Sequence, residues 1–339
     1  MRLGITIPYA DHLPRELVVG FVQEADRAGY DSVWVAEAYG WDSFTVLTQL
    51  AVATQRIKIA TGIVNVFSRS PALIAQTAAS LDLISNGRFI LGLGTSGHQV
   101  IEGWHGVKFE KGIQRLRETM DIVRLVLRRE RLIYDGQVFH LDLGAKLITH
   151  PVRERIPIYL ATLTPSGISL AGEAADGWLP VYVSPAHFES VIKPPLEEGA
   201  RKAGRSLADV AVCAFGLPVV VTKDRAAGRD AVRPHLALYI GGMGSRQKNY
   251  YNQLFRRYGW EEEAARIQDL YLERKRDEAM AILSDEMIDA VTVIGTVEEC
   301  RERLAEYERV GADEAAIALQ VPGNDPGEVL KALHGLAPR

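Results

Sequence analysis

Only two cysteines, Cys213 and Cys300, occur in 339 residues. They are too few and too far apart for a disulfide framework or a zinc knuckle. No apolar run is long enough to cross a bilayer. Neither sign of charge dominates: 39 Lys and Arg stand against 43 Asp and Glu, a net charge of -4. No general field therefore draws in nucleic acid or an anionic membrane, and neither is expected as a partner. Walker and dinucleotide fingerprints are missing, since GLGTSG is one spacing short of G-x-G-x-x-G. No histidine or carboxylate–histidine spacing suits a metal, so none is expected. Met1 leads into LGITIPY without a charged-then-apolar leader, which makes a cytoplasmic protein the expectation. With no repeat, low-complexity run or proline-rich linker, residues 1–339 are expected to form one domain.

What the chain does contain is alternation of strands and helices. Residues 57–64 and 89–94 are short apolar runs with a helix of spacing three and four between them, Pro71 to about Ile84. That is a βαβ unit with parallel strands and a right-handed crossover. Strands at 3–8, 32–36, 156–160, 177–183, 210–221 and 315–319 alternate with helices at 16–28, 43–54, 114–129, 166–175, 185–203, 225–239 and 326–336. Residues 290–295 with a helix at 297–310 are assigned to the seventh unit. Eight βα units predict a (β/α)8 TIM barrel rather than an open doubly wound sheet. Residues 132–143, around Asp135-Gly136, read as an inserted hairpin. Residues 241–286 are helical, amphipathic and rich in Tyr, Arg and Glu. An insertion there would form a lid or half-wall at the carboxyl-terminal face, or else a solvated helical pair or a dimer surface.

Ligand sites of parallel α/β proteins gather at the carboxyl ends of the strands, and several ends here are polar. Gly62-Ile63-Val64-Asn65 ends the third strand as a bulge or as a plain terminus. Gly94-Thr95-Ser96-Gly97 ends the fourth with two hydroxyls and glycine-freed backbone, or is a polar turn. Ala161-Thr162-Leu163-Thr164-Pro165-Ser166-Gly167 follows the fifth and opens a helix. Thr164 or Ser166 can cap it, and the free amides with the helix dipole would hold a phosphate or carboxylate. Glu37 follows strand two, where barrel catalytic residues sit. His98 and His105 flank a loop at the barrel mouth, and histidine is the side chain best suited to proton transfer near neutrality. Glu37 and His98 are the candidate catalytic groups, with a structural role expected for His105.

WVAEAYGWD, ATGIVNVFSRSPALIAQTAASLD, GRFILGLGTSGHQVIEGWHGV, IPIYLATLTPSG and LAGEAADGW, in this order, resemble the bacterial luciferase-like superfamily. Within it they look like the branch using the deazaflavin coenzyme F420, the methylenetetrahydromethanopterin reductase relatives. The resemblance spans nearly the whole chain. It implies a homodimer acting on a small molecule, and hydride transfer between F420 and that substrate. The alternatives are a monooxygenase using reduced FMN and a flavin-binding protein without turnover. It further implies a bulge with a non-proline cis peptide at Gly62-Ile63, backed against the ring by Ile63 and Val64. Thr95, Ser96 and Gly97 would meet the ring edge, and Ala161, Thr162, Leu163, Thr164, Ser166 and Gly167 would cradle the phosphate. The histidine that follows the strand-two carboxylate in the family's sugar-phosphate dehydrogenases is Ala38 here, which speaks against glucose-6-phosphate as substrate.

Overall fold

A computed structural model of the protein describes residues 1–7 and 13–338. Pro8, the expected end of the first strand, lies outside the described residues. Of ten strands in the main sheet, eight close into a parallel ring. They are β1 (Arg2–Thr6), β2 (Ser32–Val35), β3 (Lys58–Thr61), β4 (Phe89–Gly94), β5 (Ile158–Ala161), β6 (Gly177–Trp178), β7 (Ala211–Val221) and β8 (Glu314–Gln320). The remaining two, Val64–Asn65 and Val293–Gly295, pair with the ends of β4 and β7. The expected (β/α)8 barrel is thus the fold, and the strand of the seventh unit's second half lies outside the ring.

Helices α1 (Arg15–Ala28), α2 (Ser43–Ala53), α3 (Pro71–Ile84) and α4 (Gly112–Leu127) cover the first half. Their starts follow from local chemistry. Asp42 accepts the Thr45 N–H to begin α2, and Ser70 accepts the Leu73 N–H ahead of Pro71 to begin α3, each satisfying an amide with no intrahelical partner. Buried carboxylates tie the joints. Asp26 accepts the backbone N–H groups of Gln55, Arg56 and Ile57 where α2 gives way to β3. Glu118 accepts those of Gln137, Val138 and Phe139, which holds the Tyr134–Asp135/His140–Leu141 hairpin on α4.

The second half adds α5 (Pro165–Ala174), α6 (Lys193–Lys202), α7 (Arg225–Ala237), the inserted α8 (Tyr250–Arg257), α9 (Glu261–Leu272), α10 (Arg276–Ile282) and α11 (Asp285–Val291), then α12 (Val297–Arg309) and α13 (Pro326–Leu336). Two differences from the sequence reading have backbone causes. The helix expected over 185–203 is a 3-10 turn, a π turn and only then α6, because Pro194 and Pro195 supply no N–H and fit only a first turn. The strand expected over 57–64 breaks at Gly62-Ile63, a cis peptide.

Two apolar layers result. One lies between strands and helices, and the other fills the ring with Trp34, Ala60, Ile90, Tyr159, Leu179, Cys213 and Ala316. Gly216 (φ 60°) makes a bulge in β7 that shifts the register after Phe215. Phe215 accordingly packs inward, its ring 5.9 Å from that of Trp34.

Candidate active site

Strand register brings the expected strand ends to one level. Asn65 pairs with Gly94, and Gly94 with Ala161. Beside them stands the Gly62-Ile63 bulge with its cis bond, as the resemblance implied. A Cβ at Gly62 would lie 2.5 Å from the Phe215 ring, so only glycine fits there. Ile63 leans over strand β4: a Cβ on Gly94 would meet its Cδ1 at 3.0 Å, and one on Gly92 its Cγ2 at 3.4 Å. Val64 is buried and pairs with Leu93. Half-buried Ile63, Ala161 and Phe215 therefore top the inner core as an apolar floor.

A polar rim adjoins it. Ser96 takes the left-handed backbone (φ 58°), unusual for a residue with a side chain, and its carbonyl accepts the Thr95 hydroxyl. The Gly97 carbonyl then accepts the N–H groups of Val100 and Ile101 as the chain enters the π turn Gln99–Trp104. His98 is half-buried at the head of that turn, and its ring makes no hydrogen bond among the described residues. His105 closes the turn through its N–H to Val100, and its Nε2 is buried without a partner among the described residues.

Glu37 is held on every side. Arg69 grips both its oxygens, and the Ser43 N–H and hydroxyl donate to Oε2 at 3.1 and 3.3 Å. Arg69 also reaches Asp42 and lies over the Phe44 ring at 5.2 Å. Burial disfavours the Arg69 guanidinium, but Glu37 and Asp42 more than offset it and raise its pKa. No hydrogen bond joins Glu37 to Thr95 or Ser96 among the described residues.

At α5, Thr164 is the cap, accepting the Gly167 N–H at 3.2 Å, and Ser166 is exposed with its hydroxyl 3.4 Å from that of Thr164. Thr162 is buried, with its carbonyl taking the Trp178 indole N–H and its own hydroxyl unpartnered among the described residues. The Asn65 amide nitrogen is likewise buried without a partner among the described residues. The insertion reaches this corner: the Arg257 guanidinium, at the end of α8, donates to the Leu163 carbonyl, and the Tyr258 hydroxyl to the Tyr182 carbonyl. Tyr182 packs edge-on against Tyr239, Tyr251 and Phe255, ring centres 5.5 to 6.1 Å apart, and seals the insertion against the ends of β5 and β6.

Phe215, Arg69 and Arg257 were not singled out from the sequence. Phe215 had a signal, the glycine interrupting VCAFGLP, which marks a bulge. The other two had none, because their partners lie 32 and 94 residues away.

The model of a family described as luciferase-like monooxygenase matches residues 1–314. A Mycobacterium tuberculosis protein, provisionally named a coenzyme F420-dependent oxidoreductase, is 38% identical over 92% of this chain and 93% of its own. The 5,10-methylenetetrahydromethanopterin reductase of Archaeoglobus fulgidus is 31% identical over 86% of each. The structure of the coenzyme F420-dependent tetrahydromethanopterin reductase from Methanopyrus kandleri superposes with a TM-score of 0.83 at 25% identity, covering 99% of this chain and 97% of that one. The strand-end bulge, the barrel and the family match together place this chain in the luciferase-like monooxygenase family.

Proposed function

We propose that the chain is a coenzyme F420-dependent oxidoreductase that passes hydride between the deazaflavin and a small organic substrate, in the manner of the methylenetetrahydromethanopterin reductases. The observation that carries this reading is the Ile63 side chain laid over Gly92 and Gly94. It makes a flat apolar floor of the kind a planar ring needs. Two buried polar atoms without partners at the same end of the barrel, Thr162 Oγ1 and Asn65 Nδ2, fit a polar ligand. The relatives named above supply the choice of deazaflavin over FMN.

When bound, the coenzyme supplies the hydride chemistry. The chain's own residues do the rest. Ile63 and Phe215 support the ring and exclude water beneath it. Thr95 and Ser96 offer hydroxyls to its edge or tail, and the start of α5 faces its phosphate. Because Arg69 and Ser43 occupy the Glu37 carboxylate, His98 is the candidate left to exchange a proton with substrate, and Glu37 fixes the loop after β2. Ala38 leaves no second histidine beside it, which disfavours sugar phosphates. The chain would act as a homodimer, joined through α2 and α3, whose outer faces expose Val52, Leu73, Leu83 and Ile84.

The test is anaerobic turnover. With F420 and tetrahydropterin or carbonyl substrates, the enzyme should oxidise or reduce the coenzyme without oxygen, and His98→Gln should lower turnover about 100-fold or more while leaving coenzyme affinity unchanged. Turnover that needs oxygen and reduced FMN would instead support a monooxygenase.

A further inference from the structure

Arg257 differs from Arg88, Arg205 and Arg301, whose guanidiniums also bond only to uncharged groups. Arg88, Arg205 and Arg301 each donate to at least two backbone carbonyls and so serve as caps. Arg257 is half-buried, donates only to the Leu163 carbonyl, and pairs with no carboxylate among the described residues. Its other N–H donors have no partner among the described residues. Burial pushes its pKa down, with Tyr258 alone acting against that. A desolvated cation without a counter-ion is costly unless an anion arrives.

The place where it stands is suited to one. Leu163 immediately precedes Thr164, the cap of α5, and the first turn of α5 holds no acidic residue. The Thr162 side chain lies against that turn, since a Cβ on Gly167 would sit 2.6 Å from its Cβ. Thr162 is only 8% exposed and its hydroxyl has no partner among the described residues. A helix N-terminus, an orphaned hydroxyl and an uncompensated guanidinium thus converge from two separate parts of the chain.

We propose that Arg257 is the counter-charge for a phosphate group of the bound coenzyme at the N-terminus of α5, so that the 241–286 insertion contributes a residue to the coenzyme site. The assignment rests on the coenzyme reading above. It makes Arg257 a binding residue and the insertion part of the coenzyme site rather than a passive wall.

Fluorescence titrations of the whole protein test it, using F420 against its phosphate-free deazaflavin nucleoside, and FMN against riboflavin. Arg257→Ala should weaken F420 about tenfold to a hundredfold, with the phosphate-free compound unaffected and Arg257→Lys in between. Equal losses for both compounds, or no loss for either, would overturn the proposal. Should the wild type bind FMN and not F420, the coenzyme reading fails, and the FMN/riboflavin pair decides the role of Arg257 by the same criterion. If Arg257→Ala does not fold, Arg257→Gln gives the same comparison.

Discussion

The Thr61 hydroxyl closes a two-way bond with Gly92: it donates to the Gly92 carbonyl at 2.9 Å and accepts the Gly92 N–H at 2.7 Å. A side chain thereby replaces the ladder bonds that β3 forfeits as it enters the bulge. Glycine is required opposite, because a Cβ there would stand 2.0 Å from the Thr61 carbonyl oxygen.

Thr61→Val preserves the shape but leaves two buried backbone groups unsatisfied, and should cost about 1–3 kcal/mol in urea unfolding. Gly92→Ala pushes on backbone rather than on a flexible tip, so it should destabilise at least as much and also weaken coenzyme binding. Full stability in both variants would show that the bulge is held by something else.

Glu37 and Arg69 expose only 8% and 16% of their side chains. Removing Glu37 leaves Arg69 with Asp42 alone, and removing Arg69 leaves Glu37 with Ser43 alone. Glu37→Gln and Arg69→Ala should therefore each destabilise the protein, and the double variant should cost less than their sum, with a coupling of roughly 0.5–3 kcal/mol from a double-mutant cycle. Additive effects would mean that the pair does not work as a unit.

The opposite end of the barrel carries a pH dependence. Burial raises the Glu314 carboxyl pKa, although the Ser32 hydroxyl and Trp34 indole donate to it. A raised carboxyl keeps its proton in the folded state at pH values where the unfolded chain has released it. Its stabilising contribution is complete below the unfolded value near 4.5 and is lost as pH rises through the folded one. Stability of Glu314→Gln relative to the wild type should rise between pH 4 and 7, by at most about 1.4 kcal/mol per pH unit. A constant difference across that range would contradict the assignment.

The barrel was legible in the sequence because each strand and helix carries its own period, and caps such as Ser70-Pro71 and Thr164-Pro165 mark the starts. The bulge was anticipated from Gly62 and the family likeness, not from periodicity, which read straight through it. The state of Glu37 was not legible. Position after β2 said that it could do chemistry, but its occupation by Arg69 depends on a contact across 32 residues. The same holds for Arg257, where the insertion could be read as helical but not its landing point on Leu163. Local rules fix elements, whereas charge pairing between elements is decided by packing.

The central claim, that the Ile63 floor and the α5 N-terminus serve a deazaflavin, is tested most directly by titrating the purified protein in parallel with F420 and FMN and following ligand fluorescence. The account predicts saturable quenching of F420 at one per chain, with an affinity at least tenfold tighter than for FMN. Saturable FMN binding with no response to F420 would contradict it.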